Sequence, residues 1–234
     1  MRHVTHDRDW GHNKMFKRTN KALRAGGALA FLCIAAMSAQ AADRTGSIGH
    51  ASANRGEQAS YASVGDVARA PIGWIEMCVE YKGECDTKPS QPRDIVLTPK
   101  AWADMVKVND WVNQAIKPMT DLDHWGVVER WNFGEDGYGD CEDYVLQKRK
   151  MLIKAGWPRE ALLITVVRDK NGDGHAVLTV KTNRGEFALD NQENKILAWD
   201  KTGYRFIKRQ SQSDPNVWVS LGDPREAPAL VSAR

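Results

Sequence analysis

Residues Gly137–Tyr144, GYGDCEDY, set one cysteine among three carboxylates at the point where a helical pattern begins. Downstream, Tyr144, Val145, Met151, Leu152 and Ile153 recur at helical spacing, Gly156 supplies a stop and Pro158 lies beyond it. The stretch therefore predicts a helix of about four turns. Asp140 is its natural N-cap and Cys141 falls in the first turn, where the helix dipole and free backbone amides favour a thiolate. Asp140, Glu142 and Asp143 act in the opposite sense, because nearby carboxylates raise the pKa of a thiol. Acidic residues also favour a helix N-terminus for purely structural reasons.

Working outward, the chain after this helix reads as strands. Leu162–Arg168 is apolar and β-branched, while 175–181 and 186–190 alternate. Weaker strand signals lie at 196–199, 204–208 and 217–220, and 169–174 and 181–184 carry turn residues. Asp169, Asn171, Asp173 and Gly174 match the start of an EF-hand loop, but Val180 stands where a bidentate Glu is needed. That loop is expected to be a hairpin turn that places His175. Upstream, Thr98 and Pro99 form a helix start, and Trp102, Met105, Val106, Val112 and Ile116 continue with helical period to a stop before Pro118. A polar, aromatic connection with Asp121, Asp123, His124, Trp125 and Trp131 leads back to the opening stretch.

If His175 faces Asp190 across a hairpin, Leu178 pairs with Phe187 and Ala176 with Leu189, and the turn centres between Thr182 and Asn183. Ala176, Leu178, Val180, Phe187 and Leu189 then share a face for burial, and His175, Val177, Ala188 and Asp190 share the other.

The 234 residues suffice for one ordinary domain and are too few for two large ones. The formal charge of +3 is misleading, because residues 1–41 hold seven Lys/Arg against Asp7 and Asp9. Without them, 26 basic and 28 acidic residues remain, and a nucleic-acid partner loses its electrostatic support. Residues 1–41 read as a secretory signal peptide, with basic residues before the uncharged run AGGALAFLCIAAMSAQAA and a cut after Ala41; a retained membrane anchor is the alternative. Residues 42–70, rich in Gly, Ala and Ser, read as a flexible leader, 71–222 as the folded domain and 223–234 as a tail.

Three cysteines remain after such a cut. Cys78 and Cys85, with Lys82-Gly83 as a turn, suit a small disulfide loop in an oxidising compartment, and Cys141 is left unpaired. A cysteine nucleophile needs a base, and the base needs an orienting group; Cys141, His175 and Asp190 could fill these roles. The other histidines of that chain are His50 in the leader and His124 in the connection. A buried Cys, a turn-adjacent His and a loop Asp are also common structural residues.

The blocks PIGWIEMCVEYKGEC (71–85), NDWVNQAI (109–116), DLDHWGVVERW, GYGDCEDYVLQKRKMLIKAG, GHAVLTV and FALDNQ together resemble the bacterial transglutaminase-like cysteine proteinase family, which includes the LapG-type periplasmic proteases. The resemblance spans about residues 70–222 in the family's order. It implies an α+β fold, papain-like or transglutaminase-like, in which the helix carrying the nucleophile packs on an antiparallel sheet. It implies Cys141 as nucleophile, His175 as general base and Asp190 as orienting acid. It also implies calcium, with ligands at Asp140, Glu142 and Asp143, and a bound cation would reverse the field those carboxylates set around the thiol. LapG-type enzymes cut a large surface adhesin in biofilm control and are restrained by an inner-membrane cyclic-di-GMP receptor. The expectation is thus a calcium-dependent periplasmic cysteine endopeptidase. An acyl transferase or amidase with the same thioester chemistry, and a non-catalytic binding module, are the alternatives.

Overall fold

The computed structural model describes residues 60–222. The expected signal peptide, most of the expected leader and the 223–234 tail lie outside the described residues. In chain order the elements are β1 (Val64–Ala68), α1 (Ile72–Glu80), α2 (Lys82–Cys85), α3 (Pro99–Ala115), β2 (Lys117–Pro118), α4 (Asp121–Trp125), β3 (Tyr138–Gly139) and α5 (Cys141–Lys154). Then follow β4 (Leu162–Arg168), β5 (Gly174–Thr182), β6 (Gly185–Leu189), β7 (Leu197–Ala198), β8 (Arg205–Gln210) and β9 (Trp218–Leu221). Seven strands form one antiparallel sheet in the order β1-β9-β8-β4-β5-β6-β7. The chain has the expected α+β fold, with helices gathered on one face of that sheet.

Local chemistry explains the helix ends. Thr98 Oγ1 accepts the Ala101 N–H at 3.1 Å, and Pro99 occupies the first helical position of α3, where no amide is needed. At the other end of α5, Gly156 adopts φ 91°, a left-handed conformation that ends the helix without a Cβ penalty. Met105, Val108 and Val112 of α3, Tyr144, Val145 and Leu152 of α5, and Ile164, Ala176, Leu178 and Leu189 of the sheet form one buried cluster. Trp74, Trp131 and Trp218 extend it in edge-on contacts with centroids 6.3–6.5 Å apart. Val167, Val177, Ala188, Trp199, Tyr204 and Phe206 make a second cluster.

Two expectations need correction. The β5–β6 register pairs Leu178 with Leu189 and Val180 with Phe187, so it lies two residues from the expected one. A two-residue slip preserves the faces, since side chains alternate with period 2, and the expected burial set holds apart from half-buried Phe187. The turn is the tight pair Asn183-Arg184, and Gly185 supplies φ 109°. Residues 60–70 are also no flexible leader. Val64–Ala68 pairs antiparallel with β9, Gly222 N–H donates to Ser63 O at 3.1 Å, and Ala62 joins the second cluster. A sheet whose last strand would otherwise be an open edge gains from such a partner, although β1 itself shows little apolar alternation.

The connection before α5 contains α4, so His124 stands on a short helix, where its Nε2 meets Asp136 Oδ2 at 2.8 Å. Trp131 fills core at 4% exposure, whereas Trp125 is 39% exposed beneath the Arg130 guanidinium. The 169–173 loop is the expected hairpin turn: Asp169 Oδ1 accepts the Asn171 and Asp173 N–H groups.

Candidate active site

Cys141 is the first residue of α5, with Asp140 as N-cap. The N–H of Asp140 donates to Asp143 Oδ2 at 3.3 Å, so the acid at the third helical position reaches back and fixes the helix start. The backbone of Ala176, one residue past His175, favours the ionised form of the thiol. Helix α5, which opens with Cys141, packs on β5, which carries His175 at its second position.

His175 and Asp190 are both 4% exposed. His175 Nε2 is 2.8 Å from Asp190 Oδ1, and Gln192 Nε2 is 3.3 Å from His175 Nδ1. With the proton on Nε2, the ring donates to the carboxylate and accepts from the Gln192 amide, which is the neutral form of a general base. Asp190 is also bound by the Gln192 N–H at 2.9 Å and by the Tyr204 hydroxyl at 2.6 Å. Burial works to raise the Asp190 pKa, but the His175 hydrogen bond and charge, with Tyr204 and the Gln192 amide, outweigh it and hold the carboxyl below its usual value. The same contact pushes Tyr204 far up, after burial itself. From α3, Asn113 Nδ2 donates to Asp190 O at 2.8 Å and Asn109 Nδ2 to Asn194 O at 3.3 Å, which tie the 190–194 loop to the helical layer. Gln192, Tyr204, Asn109 and Asn113 were not singled out from the sequence as site residues, although the NDWVNQAI and FALDNQ blocks contain three of them.

The electrostatic question raised by GYGDCEDY has a geometric answer. The S–H of Cys141 donates to Glu142 Oε2 at 3.1 Å. Burial first, then the Glu142 charge and hydrogen bond, then Asp140 push the thiol well above its ordinary pKa, against the Ala176 backbone. In this arrangement the group is a thiol. Glu142 is likewise pushed well up, by burial and then by Asp140.

Glu142, the third ligand expected with Asp140 and Asp143, interacts with Asp140 by charge and hydrogen bonding and also takes the Cys141 S–H. The converging ligand atoms belong to Asp121, Asp140 and Asp143, all within 4.8 Å of one another. Asp121, at the start of α4, is the member the sequence did not single out, because it arrives from 19 residues away. Its N–H donates to Asp140 Oδ2 at 3.4 Å, and its own Oδ2 takes the Arg130 N–H in a short contact. Asp143 accepts from the Asn132 N–H at 2.7 Å and Asn132 Nδ2 at 3.2 Å. Burial, with Asp140 adding to it, raises Asp121 to about 6 and Asp143 to about 8, against the amide hydrogen bonds each receives. Asp140 Oδ1 is buried without a partner among the described residues. An all-oxygen set with mutually repelling carboxylates and one unsatisfied oxygen fits a hard divalent cation.

Cys78 and Cys85 form the expected disulfide, with Cα atoms 5.5 Å apart, between α1 and the end of α2; Cys141 is free.

The profile described as bacterial transglutaminase-like cysteine proteinase matches residues 64–226. Among solved structures the chain is similar to Legionella pneumophila LapG, at 26% identity over 53% of this chain and 70% of that one, with TM-score 0.44. It is similar to the calcium-bound form of that protein at 24% identity over 55% and 75%, with TM-score 0.45, and to its EGTA-treated form at 26% over 53% and 72%, with TM-score 0.43. No curated protein matches the chain.

Proposed function

The chain belongs to the bacterial transglutaminase-like cysteine proteinase family and is a cysteine peptidase, and from that premise we propose that Cys141, His175 and Asp190 are its nucleophile, base and orienting acid. The observation that carries the assignment is the buried 2.8 Å His175–Asp190 bond, made from β5, the strand on which the helix opened by Cys141 packs. In the reaction, Cys141 gives its proton to His175 Nδ1 and its sulfur attacks the scissile carbonyl. Asp190 keeps Nε2 protonated and stabilises the imidazolium. The first-turn amide of Cys141, which has no partner inside the helix, donates to the developing oxyanion. His175 then protonates the leaving amine, and water deprotonated by the same ring hydrolyses the thioester. Before the first transfer, the Gln192 contact to Nδ1 and the Glu142 contact to Sγ must open.

The activity is calcium-dependent in this proposal, with Asp121, Asp140 and Asp143 as the residues that would hold the ion. Bound there, calcium supplies positive charge one residue from the nucleophile and offsets the carboxylate field that keeps the thiol protonated. The protein acts in the periplasm, a reading supported by the disulfide and by the signal-like 1–41 segment. A cysteine peptidase has a protein substrate. We take this one to be a large surface adhesin cut during biofilm control, with an inner-membrane cyclic-di-GMP receptor as regulator, as the resemblance to LapG-type enzymes implies.

The test is cleavage of an adhesin encoded beside this chain's gene, by wild type and Cys141→Ala, with and without chelator. The expected result is cutting by the wild type in calcium only, with none by the variant at unchanged circular dichroism. Cutting by the variant would sink the nucleophile, and transfer of an added amine in place of hydrolysis would identify a transferase.

A further inference from the structure

A second polar site lies two turns along α5 from Cys141. A cavity of about 240 Å³ opens between the loop around Thr87, the start of β4 and the segment near 210–215. Arg149 lines it and is 1% exposed, and it stands eight residues after Cys141, or about 12 Å along the helix axis. Its Nε donates to Leu162 O at 3.1 Å and its Nη1 to Glu84 Oε2 at 3.0 Å. Arg159 Nη1 donates to the same Glu84 oxygen at 2.8 Å. Two guanidinium groups thus share one carboxylate. Glu160 does not complete the balance, because Ser90 and Arg93 already engage it at 2.6 and 3.4 Å, and Lys88 adds another positive charge to the lining.

Two groups of the lining are left unsatisfied. Arg149 Nη2 and Thr87 Oγ1 are buried with no hydrogen-bond partner among the described residues. A buried guanidinium N–H without an acceptor is costly, and so is a buried charge with only half a counter-ion. Burial, and after it the Arg159 charge, lower the Arg149 pKa to about 9 against the pull of Glu84, the direction expected where a counter-charge is lacking.

We propose that this cavity binds a small oxyanion, a carboxylate or phosphate group, beside Arg149, Arg159 and Thr87, with the surplus positive charge of the Arg149–Arg159–Glu84 group as its counter-charge. A planar guanidinium presents N–H donors in the geometry that oxyanions accept. Ser90, Gln210 and Gln212 add polar groups to the wall, and Leu162, Leu163 and Pro215 leave room for a short carbon chain. The site is separate from the triad and does not depend on the protease assignment.

The test is the melting temperature of the full chain without added calcium, titrated with sodium phosphate or sodium succinate against sodium chloride at matched ionic strength. Wild type shows a saturable rise of about 5 °C at a hundredfold excess over Kd, and the anion that saturates at the lower concentration tells an inorganic ligand from an organic acid. Arg159→Gln removes the surplus charge and Thr87→Asp supplies a carboxylate from within, so both lose the saturable rise, and Thr87→Asp melts higher than wild type in chloride. Both positions are only partly buried, so these changes are tolerated better than loss of the fully buried Arg149. The proposal is overturned if neither anion gives a saturable shift, or if wild type and both variants shift alike, which is a general salt effect.

Discussion

His175 Nε2 lies 2.8 Å from Asp190 Oδ1 although the two residues are not cross-strand partners; in the observed register they share a face and meet diagonally at the open end of the β5–β6 hairpin. The diagonal leaves the position opposite His175 to the 190–194 loop, from which Gln192 reaches Nδ1. Asp190→Asn should therefore keep the fold and the His175 contact, since Oδ1 can still take both the Gln192 N–H and the Nε2 proton, but it removes the charge that stabilises the imidazolium. The expected fall in kcat/KM is about 10–10²-fold. A loss below tenfold, with the melting temperature unchanged, would leave the Asp190 charge without that role.

Because the Asp190 carboxyl is held below its ordinary range, its contribution to stability is present above its unfolded pKa and disappears as pH falls through the folded value. Acid unfolding of wild type should steepen below about pH 4, and Asp190→Asn should flatten that limb. Chemical denaturation between pH 2 and 6 reads this directly.

Glu142 accepts the Cys141 S–H, and its charge and hydrogen bond rank just behind burial in raising the thiol pKa. In calcium-free protein, Glu142→Gln should move the pH midpoint of iodoacetamide labelling downward. A fall of one unit speeds labelling at neutral pH about tenfold. A midpoint that stays in place would leave burial and the Asp140 charge as the causes.

Asp143, at about 8, binds its proton more tightly than an unfolded carboxyl, so the calcium-free chain loses stability as pH rises from about 4 to 8. Calcium needs the ionised form. Binding at pH 7 should accordingly release protons, seen by calorimetry in buffers of different ionisation enthalpy, and should flatten the pH dependence of the melting temperature. Asp121→Asn should weaken calcium binding at least tenfold while Glu142→Gln alters it less. The reverse ranking would return the site to the sequence-adjacent trio.

Strand β1 covers the edge of β9, so removing residues through Ala68 should lower the melting temperature by about 5 °C or more and promote association through the exposed edge. Light scattering beside the thermal melt checks both effects.

Much of this protein was legible in the chain itself. Helical period with Thr98-Pro99 at one end and Gly156 at another located α3 and α5, and β-branched runs with turn residues located β4 and β5, because caps and periodicity are local physics. Cys141 at a helix start and the shared face of His175 and Asp190 followed from the same rules, the latter surviving a register error because parity, unlike register, is unaffected by a slip of two. What only the tertiary structure decided is what the chain brings together from a distance. The strand Val64–Ala68 has too little pattern to announce itself and exists because β9 offers an edge. Asp121 joins Asp140 and Asp143 because α4 folds back onto the start of α5, while Glu142, adjacent in sequence, is turned by helix geometry toward the Cys141 sulfur. Charge balance has the same character: that Arg149 and Arg159 share the single Glu84 carboxylate depends on three segments meeting in space, and no local pattern records it.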